Sequence, residues 1–251
     1  MVLKSEIEND IYFKYQAARV RALHTDRIDC IHVSDLIKEC KRYVVYDKIT
    51  PPEYKSSNTE EMKSLFFGQI LHKTVILDEK RNEIPLLYDW TRDVGFSEDM
   101  AELDDGNRWN YLAGSIDDLI QVKGEWVIVD KKTTGSIDWF RKKDQRPNEY
   151  HKAQINFYRV LLKKCLGIDA KWGCNIYISN CIDNEKRDAP AVIPYKLNDI
   201  DKTMPLLTSG CQEIKTYMTQ RKLPQATKNF LCDGMCPYAW PRCFTETKTS
   251  W

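Results

Sequence analysis

Tyr111–Gly135, YLAGSIDDLIQVKGEWVIVDKKTTG, decides how this chain is read. Two runs of β-branched and aromatic residues flank Lys123-Gly124, a pair suited to a tight hairpin turn. A hairpin symmetric about that pair sets Val122 against Glu125 and Asp117 against Asp130. Side chains alternate along a strand, so Asp130 and Lys132 share a face with Asp117, while Asp118 and Lys131 point the other way. Two carboxylates about 5 Å apart repel by about 3 kcal/mol at an effective dielectric of about 20, and like charges placed directly opposite destabilise a sheet. A divalent cation removes that cost. Hard oxygen donors with room for water and phosphate suit magnesium or manganese, and a neighbouring lysine can position a water or stabilise charge developing on phosphorus. The competing reading is a surface hairpin on which acids and lysines are scattered, and a one-residue slip in register would exchange Asp117 for Asp118.

Upstream, NTEEMKSLFFGQILHKTVILDEK has the apolar spacing of a helix capped by Asn58 or Thr59. Gly68 and His72 fall one turn apart on one face, where the glycine admits a close neighbour and the imidazole could be a third metal ligand, although a lone helical histidine is more often packed or solvated. Downstream, PNEYHKAQINFYRVLLKKCLG reads as a second helix, with His151, Gln154 and Tyr158 along one stripe. Gln154 and Tyr158 could grip phosphate or base; taken alone, the stripe reads better as the rim of a core face made by Ile155, Phe157, Val160 and Leu161. Between hairpin and helix, WFRKKDQR mixes cations with aromatics, which suits single-stranded nucleic acid and equally a solvated loop.

The 251 residues carry 38 Lys+Arg against 37 Asp+Glu, and 42% are hydrophobic. That excludes bulk disorder and a uniformly basic binder, yet leaves room for a basic channel balanced by acids that hold metal. Apolar runs such as Val127-Ile128-Val129 are far short of the roughly 18 residues of a membrane span, and MVLKSEIEND has no apolar export core. A soluble, cytoplasmic protein with no membrane partner is expected. No Walker A pattern is present, so the chain is not itself a helicase.

Nine cysteines without an export signal argue for thiols or metal ligands over disulfides. Cys165, Cys174, Cys181 and Cys211 lie in or beside apolar segments and are assigned to packing. Cys232, Cys236 and Cys243 crowd into LCDGMCPYAWPRCF, which Gly234, Pro237 and Pro241 keep from running as a regular element; a metal is the economical support. No histidine follows His151, so a fourth ligand must come from a distance. Cys40 is the first candidate, near the middle of a helix that Ser34 would cap, and Cys30 is its rival. Thiolates alone suit zinc or an iron–sulfur cluster.

Taken in order, these residues resemble the RecB-like branch of the PD-(D/E)XK nucleases, and within it the CRISPR-associated exonuclease family that carries an iron–sulfur cluster. Gly68 to His72 matches its GxxxH, Gly114 to Asp117 its GxxD, Asp130 with Lys132 its DxK followed by threonine, and Gln154 to Tyr158 its QxxxY. One cysteine near the N-terminus and three near the C-terminus complete the pattern over residues 33–244, with a spacing of CxxxC and CxxxxxxC that is looser than the family's CxxC. The resemblance implies that His72, Asp117 and Asp130 hold Mg2+ or Mn2+, that Lys132 orients the attacking water, and that Gln154 and Tyr158 hold DNA. It implies a cluster, 4Fe-4S, on Cys40, Cys232, Cys236 and Cys243. The activity implied is exonucleolytic cleavage of DNA, single strands preferred, 5′ to 3′, trimming prespacers or recombination and repair intermediates beside CRISPR integrase or recombination proteins.

The expected fold class is α/β, a PD-(D/E)XK restriction-endonuclease-like core with a mixed central sheet flanked by helices. A helical N-terminal region (1–57) gives one cluster cysteine, the nuclease core spans 58–222, and a cysteine-rich iron–sulfur segment spans 223–251. The sheet is expected to continue through Leu166–Asp169, Trp172–Asn180 and Ala191–Leu197, before a helix over Asn198–Gln220. Two rival functions are a DNA-binding subunit of an integration complex with a weak active site, and a redox sensor built on the cluster.

Overall fold

A computed structural model of the chain describes residues 30–50, 68, 70, 75–77, 81–96, 107–135, 137–141, 146–179, 190–225 and 236. His72, Cys181, Cys232 and Cys243 lie outside the described residues. The strands are β1 (Ile31–His32), β2 (Asn82–Asp89), β3 (Val94–Phe96), β4 (Tyr111–Val122), β5 (Glu125–Thr134), β6 (Trp172–Ser179) and β7 (Ala191–Lys196). The helices are α1 (Val33–Leu36), α2 (Lys41–Ile49), α3 (Ile137–Arg141), α4 (Glu149–Leu166) and α5 (Ile200–Gln220). The strands form one mixed sheet in the order β3-β2-β4-β5-β6-β7, with β1 along β4. Among the described residues, no helix is long and apolar enough to cross a membrane.

The β4–β5 hairpin turns at Lys123-Gly124, both left-handed at φ 51° and 86°, the conformation a two-residue turn of this hand requires. Its rungs run from Val122–Glu125 to Asp118–Val129, in the register the turn dictates. The pair expected next, Asp117–Asp130, lies one step past the last rung, where the strands part. There the Lys131 amide donates to the Asp117 carboxylate at 2.6 Å.

Strict alternation fails once along β4. Gly114 faces α4, since a Cβ there would meet the Tyr158 ring at 2.7 Å. Leu119 also faces α4, through Ile128 and Gly173, which are its lateral partners, and Ile155, against which Gly173 packs. An even and an odd position on one side mean that the strand changes face between them. Asp117 and Asp118 stand at this change and both are buried. Opposite them on β2, the ladder skips Glu83, whose φ of 51° is left-handed.

Helix α4 begins at Asn148, whose side chain accepts from the Tyr150 amide, and ends at Gly167 with φ 72°. It lays Ile155, Val160, Leu161 and Leu162 on the sheet as the main core. Leu166–Asp169 is not a strand: Leu166 closes the helix, and Arg159 holds Asp169 back against it through bonds of 3.0 and 2.9 Å.

The Ser34-capped helix is also shorter than expected. His32 caps α1, with Asp35 accepting from its amide at 2.9 Å. The Lys41 ammonium then takes the carbonyls of Leu36 and Lys38, both at 3.1 Å, and this ends the helix. Cys40 therefore sits at the N-cap of α2, not in the middle of a helix. Nor is the N-terminal part helical throughout, because Ile31–His32 pair in parallel with Leu112–Ala113.

Candidate active site

Asp117 and Asp130 meet where β4 and β5 diverge, 6% and 2% exposed. Lys132 reaches Asp130 Oδ1 with its ammonium at 2.9 Å. Burial alone would lower the Lys132 pKa, but the Asp130 carboxylate, then that of Asp117, and the hydrogen bond to Asp130 together hold it above the usual lysine value. One ammonium thus answers two carboxylates, on the face where the hairpin geometry places all three. In this arrangement Lys132 is a charged donor, not a base.

On the opposite face, Asp118 and Lys131 form an ion pair at 2.9 Å with both side chains fully buried. They also hold residues 75–77: Lys131 donates to the Val75 carbonyl at 2.7 Å and Asp118 accepts from the Leu77 amide at 3.1 Å. These residues directly follow the stretch that carries His72 in the sequence.

Behind Asp130 lies a polar chain that sequence reasoning missed. Asn175 on β6 donates its amide to Asp130 Oδ2 at 2.9 Å, and the Tyr195 hydroxyl on β7 donates to Asn175 Oδ1 at 2.8 Å. Asn175 interrupts the largely apolar run Trp172–Ile178 of β6, and an amide in such a run is itself a signal.

The α4 stripe is divided. Gln154 and Tyr158 are buried and bonded to each other at 3.0 Å. His151 instead joins Tyr177, the lateral neighbour of Lys132, at 3.0 Å. Burial, and then the Lys132 charge, push the His151 pKa down to about 4, so the ring is neutral at neutral pH. Burial pushes Tyr177 up to about 12; its hydroxyl accepts from the Asn148 amide at 3.1 Å and is hydrogen-bonded with His151 Nδ1.

Tyr158 explains Gly114. Any side chain at 114 collides with the ring, and with Val33 Cγ2 at 3.1 Å. Gly114→Ala should cost about 1–3 kcal/mol of stability by overpacking, read as a lower midpoint in urea; an unchanged midpoint would mean that the ring moves aside freely.

Cys40 is 9% exposed and Cys236 half-buried. Cys174 and Cys211 are buried thiols, as assigned, with Cys165 partly so; burial pushes Cys165 and Cys174 up to about 11. Among the described residues, no group of three or more His, Cys, Asp or Glu is arranged to hold a metal. What they contribute is a pair, Asp117 and Asp130, whose hard oxygens fit a divalent cation of the magnesium type.

Residues 69–243 match the family described as "PD-(D/E)XK nuclease superfamily". The chain belongs to the PD-(D/E)XK nuclease superfamily. Its described sheet and flanking helices are the α/β core of such a nuclease, and the family span takes in Asp117, Asp130 and Lys132. No curated protein matches the chain. Among solved structures it is similar to the crystal structure of SSO0001, at 18% identity and a TM-score of 0.49, over 90% of this chain and 94% of that one. It is also similar to LHK-Exo in complex with dAMP, at 12% identity and a TM-score of 0.44, over 81% of this chain and 93% of that one. An alkaline exonuclease (LHK-Exo) from Laribacter hongkongensis matches at 12% identity and a TM-score of 0.39, over 80% of this chain and 97% of that one.

Proposed function

We propose that this member of the superfamily is a metal-dependent DNA exonuclease of the CRISPR-associated RecB-like type, which prefers single strands and trims them from the 5′ end. The observation that carries the reading is the convergence of two buried carboxylates on one lysine, Asp117 and Asp130 around Lys132, where two strands separate. Asp117, Asp130 and His72 would hold Mg2+ or Mn2+, which supplies Lewis acidity at the scissile phosphate. Lys132, held as an ammonium, hydrogen-bonds the attacking water and the phosphoryl oxygen on which charge builds. Gln154 and Tyr158, bonded to each other with the Tyr158 ring seated on Gly114, would help hold the DNA. The test is cleavage of 5′-labelled and 3′-labelled single-stranded and duplex DNA with manganese or chelator. Progressive, metal-dependent shortening from the 5′ end of single strands is expected; cleavage that ignores chelator, or none by folded protein, contradicts the reading.

The same proposal includes an iron–sulfur cluster on Cys40, Cys232, Cys236 and Cys243. Two observations support it. Cys40 lies at the N-cap of α2, 9% exposed, on the same element as Arg42. The Arg42 guanidinium, on the first turn of that helix, donates to the Pro224 carbonyl at 3.3 Å, which ties α2 to the point where the chain enters its cysteine-rich segment. Such a cluster would close the two ends of the chain on each other. Cys40→Ser should lose the cluster's visible absorbance and lower the melting temperature of anaerobically purified protein, whereas Cys30→Ser, although it sets a hydroxyl in an apolar cluster, should keep the absorbance; the reverse pattern of absorbance would move the ligand to Cys30.

A further inference from the structure

We propose that Asn175 and Tyr195 are positioning residues that present the Asp130 carboxylate to a divalent cation through one oxygen, and so favour Mg2+ or Mn2+ over Ca2+. The proposal rests on the reading of Asp117 and Asp130 as metal ligands. Asn175 is completely buried, and its amide occupies Asp130 Oδ2 from the β6 side at 2.9 Å. Lys132 holds Oδ1 at 2.9 Å from the other side. The carboxylate is therefore clamped at both oxygens and cannot turn about its own axis.

Tyr195 fixes which way the Asn175 amide points. Turned over, the amide would set its oxygen against a carboxylate oxygen, two acceptors with no proton between them. The Tyr195 hydroxyl, donating to Asn175 Oδ1 at 2.8 Å, rewards the opposite orientation. Burial, followed by the Asp130 charge, raises the Tyr195 pKa far above its usual value, so the hydroxyl keeps its proton and remains a donor. The chain runs from β7 through β6 to β5, three laterally neighbouring strands, so sheet pairing itself sets its geometry.

The chemical consequence concerns the choice of metal. Mg2+ demands near-ideal octahedral geometry at short distances, while Ca2+ takes 6–8 oxygens and readily accepts both oxygens of one carboxylate. With Oδ2 engaged by Asn175, the oxygen shared with Lys132 is the one presented to the cation. Losing the amide opens two-oxygen binding, which suits Ca2+.

Isothermal titration of full-length protein, purified anaerobically, with manganese and separately with calcium tests this. For Asn175→Ala the manganese Kd should rise by about 10- to 100-fold, the usual effect of removing an outer partner of a metal ligand, and the calcium Kd by clearly less. Tyr195→Phe, which keeps the ring and the packing, should shift the ratio of the two Kd values in the same direction by a few fold. A general loosening would weaken both metals alike, so an unchanged ratio in a folded variant overturns the proposal. If Asn175→Ala does not fold, Tyr195→Phe decides alone. Wild-type protein that binds no manganese overturns both this inference and the metal centre beneath it; wild-type binding with unaffected variants overturns the inference only.

Discussion

Asp130→Ala is expected to lower single-strand cleavage by about a thousandfold or more, with the fold retained. Asp130 is the residue on which the described site converges: Lys132 and Asn175 bond its two oxygens, and Asp117 lies beside it. Without it a single described carboxylate remains, too few hard donors to keep a divalent cation against water. Metal-assisted phosphoryl chemistry draws several kcal/mol from the cation, and about 4 kcal/mol corresponds to a thousandfold in rate. Stability should fall by no more than about 1–3 kcal/mol, because the variant leaves the buried Asn175 amide and part of the Lys132 charge without their acceptor while it relieves the repulsion between two adjacent carboxylates. Single-turnover cleavage rates and melting curves of the same samples check both halves. A folded Asp130→Ala protein that cleaves at the wild-type rate would remove the site from this face of the sheet.

The largest effect on stability is expected on the opposite face. Lys131→Met should destabilise the protein by about 3–5 kcal/mol, because it leaves the Asp118 carboxylate buried without its counter-charge. Both side chains are fully buried at 2.9 Å from each other. Each also bonds the backbone of residues 75–77, so the loss spreads beyond the pair. Combining Lys131→Met with Asp118→Leu should recover much of the deficit, since two apolar groups of similar volume cost less than one lone charge. Denaturant unfolding of the two single variants and the double one measures this coupling. A loss below about 1 kcal/mol in the single variant would place the pair in the class of exposed bridges.

What could be read from the sequence was local. The turn at Lys123-Gly124 needs only its own two residues, and from it the register follows by symmetry to Asp118 and Val129. Over this short span alternation holds, which is why Asp117, Asp130 and Lys132 were separable from Asp118 and Lys131. What could not be read depends on neighbours brought from far along the chain. The change of face in β4 answers to Tyr158 seated on Gly114 and to the left-handed Glu83 beside it, neither adjacent in sequence. Asn175 is 45 residues from Asp130, and only the parallel pairing of β5 with β6 makes them partners. The helix expected to run through Cys40 was ended by one side chain, the Lys41 ammonium folded back on α1, which local propensity does not foresee. The roles of His72, Cys232 and Cys243 rest on the order of motifs along the sequence.

The proposed function stands on Asp117 and Asp130 holding the catalytic cation together. Anomalous X-ray diffraction at the manganese edge, from crystals of the wild-type protein soaked in manganese, would locate that cation. A manganese peak in contact with oxygens of both carboxylates, on the Lys132 face of the sheet, is expected. A protein that cleaves DNA in manganese while its crystals show the metal only elsewhere, with Asp117 and Asp130 bare, would contradict it.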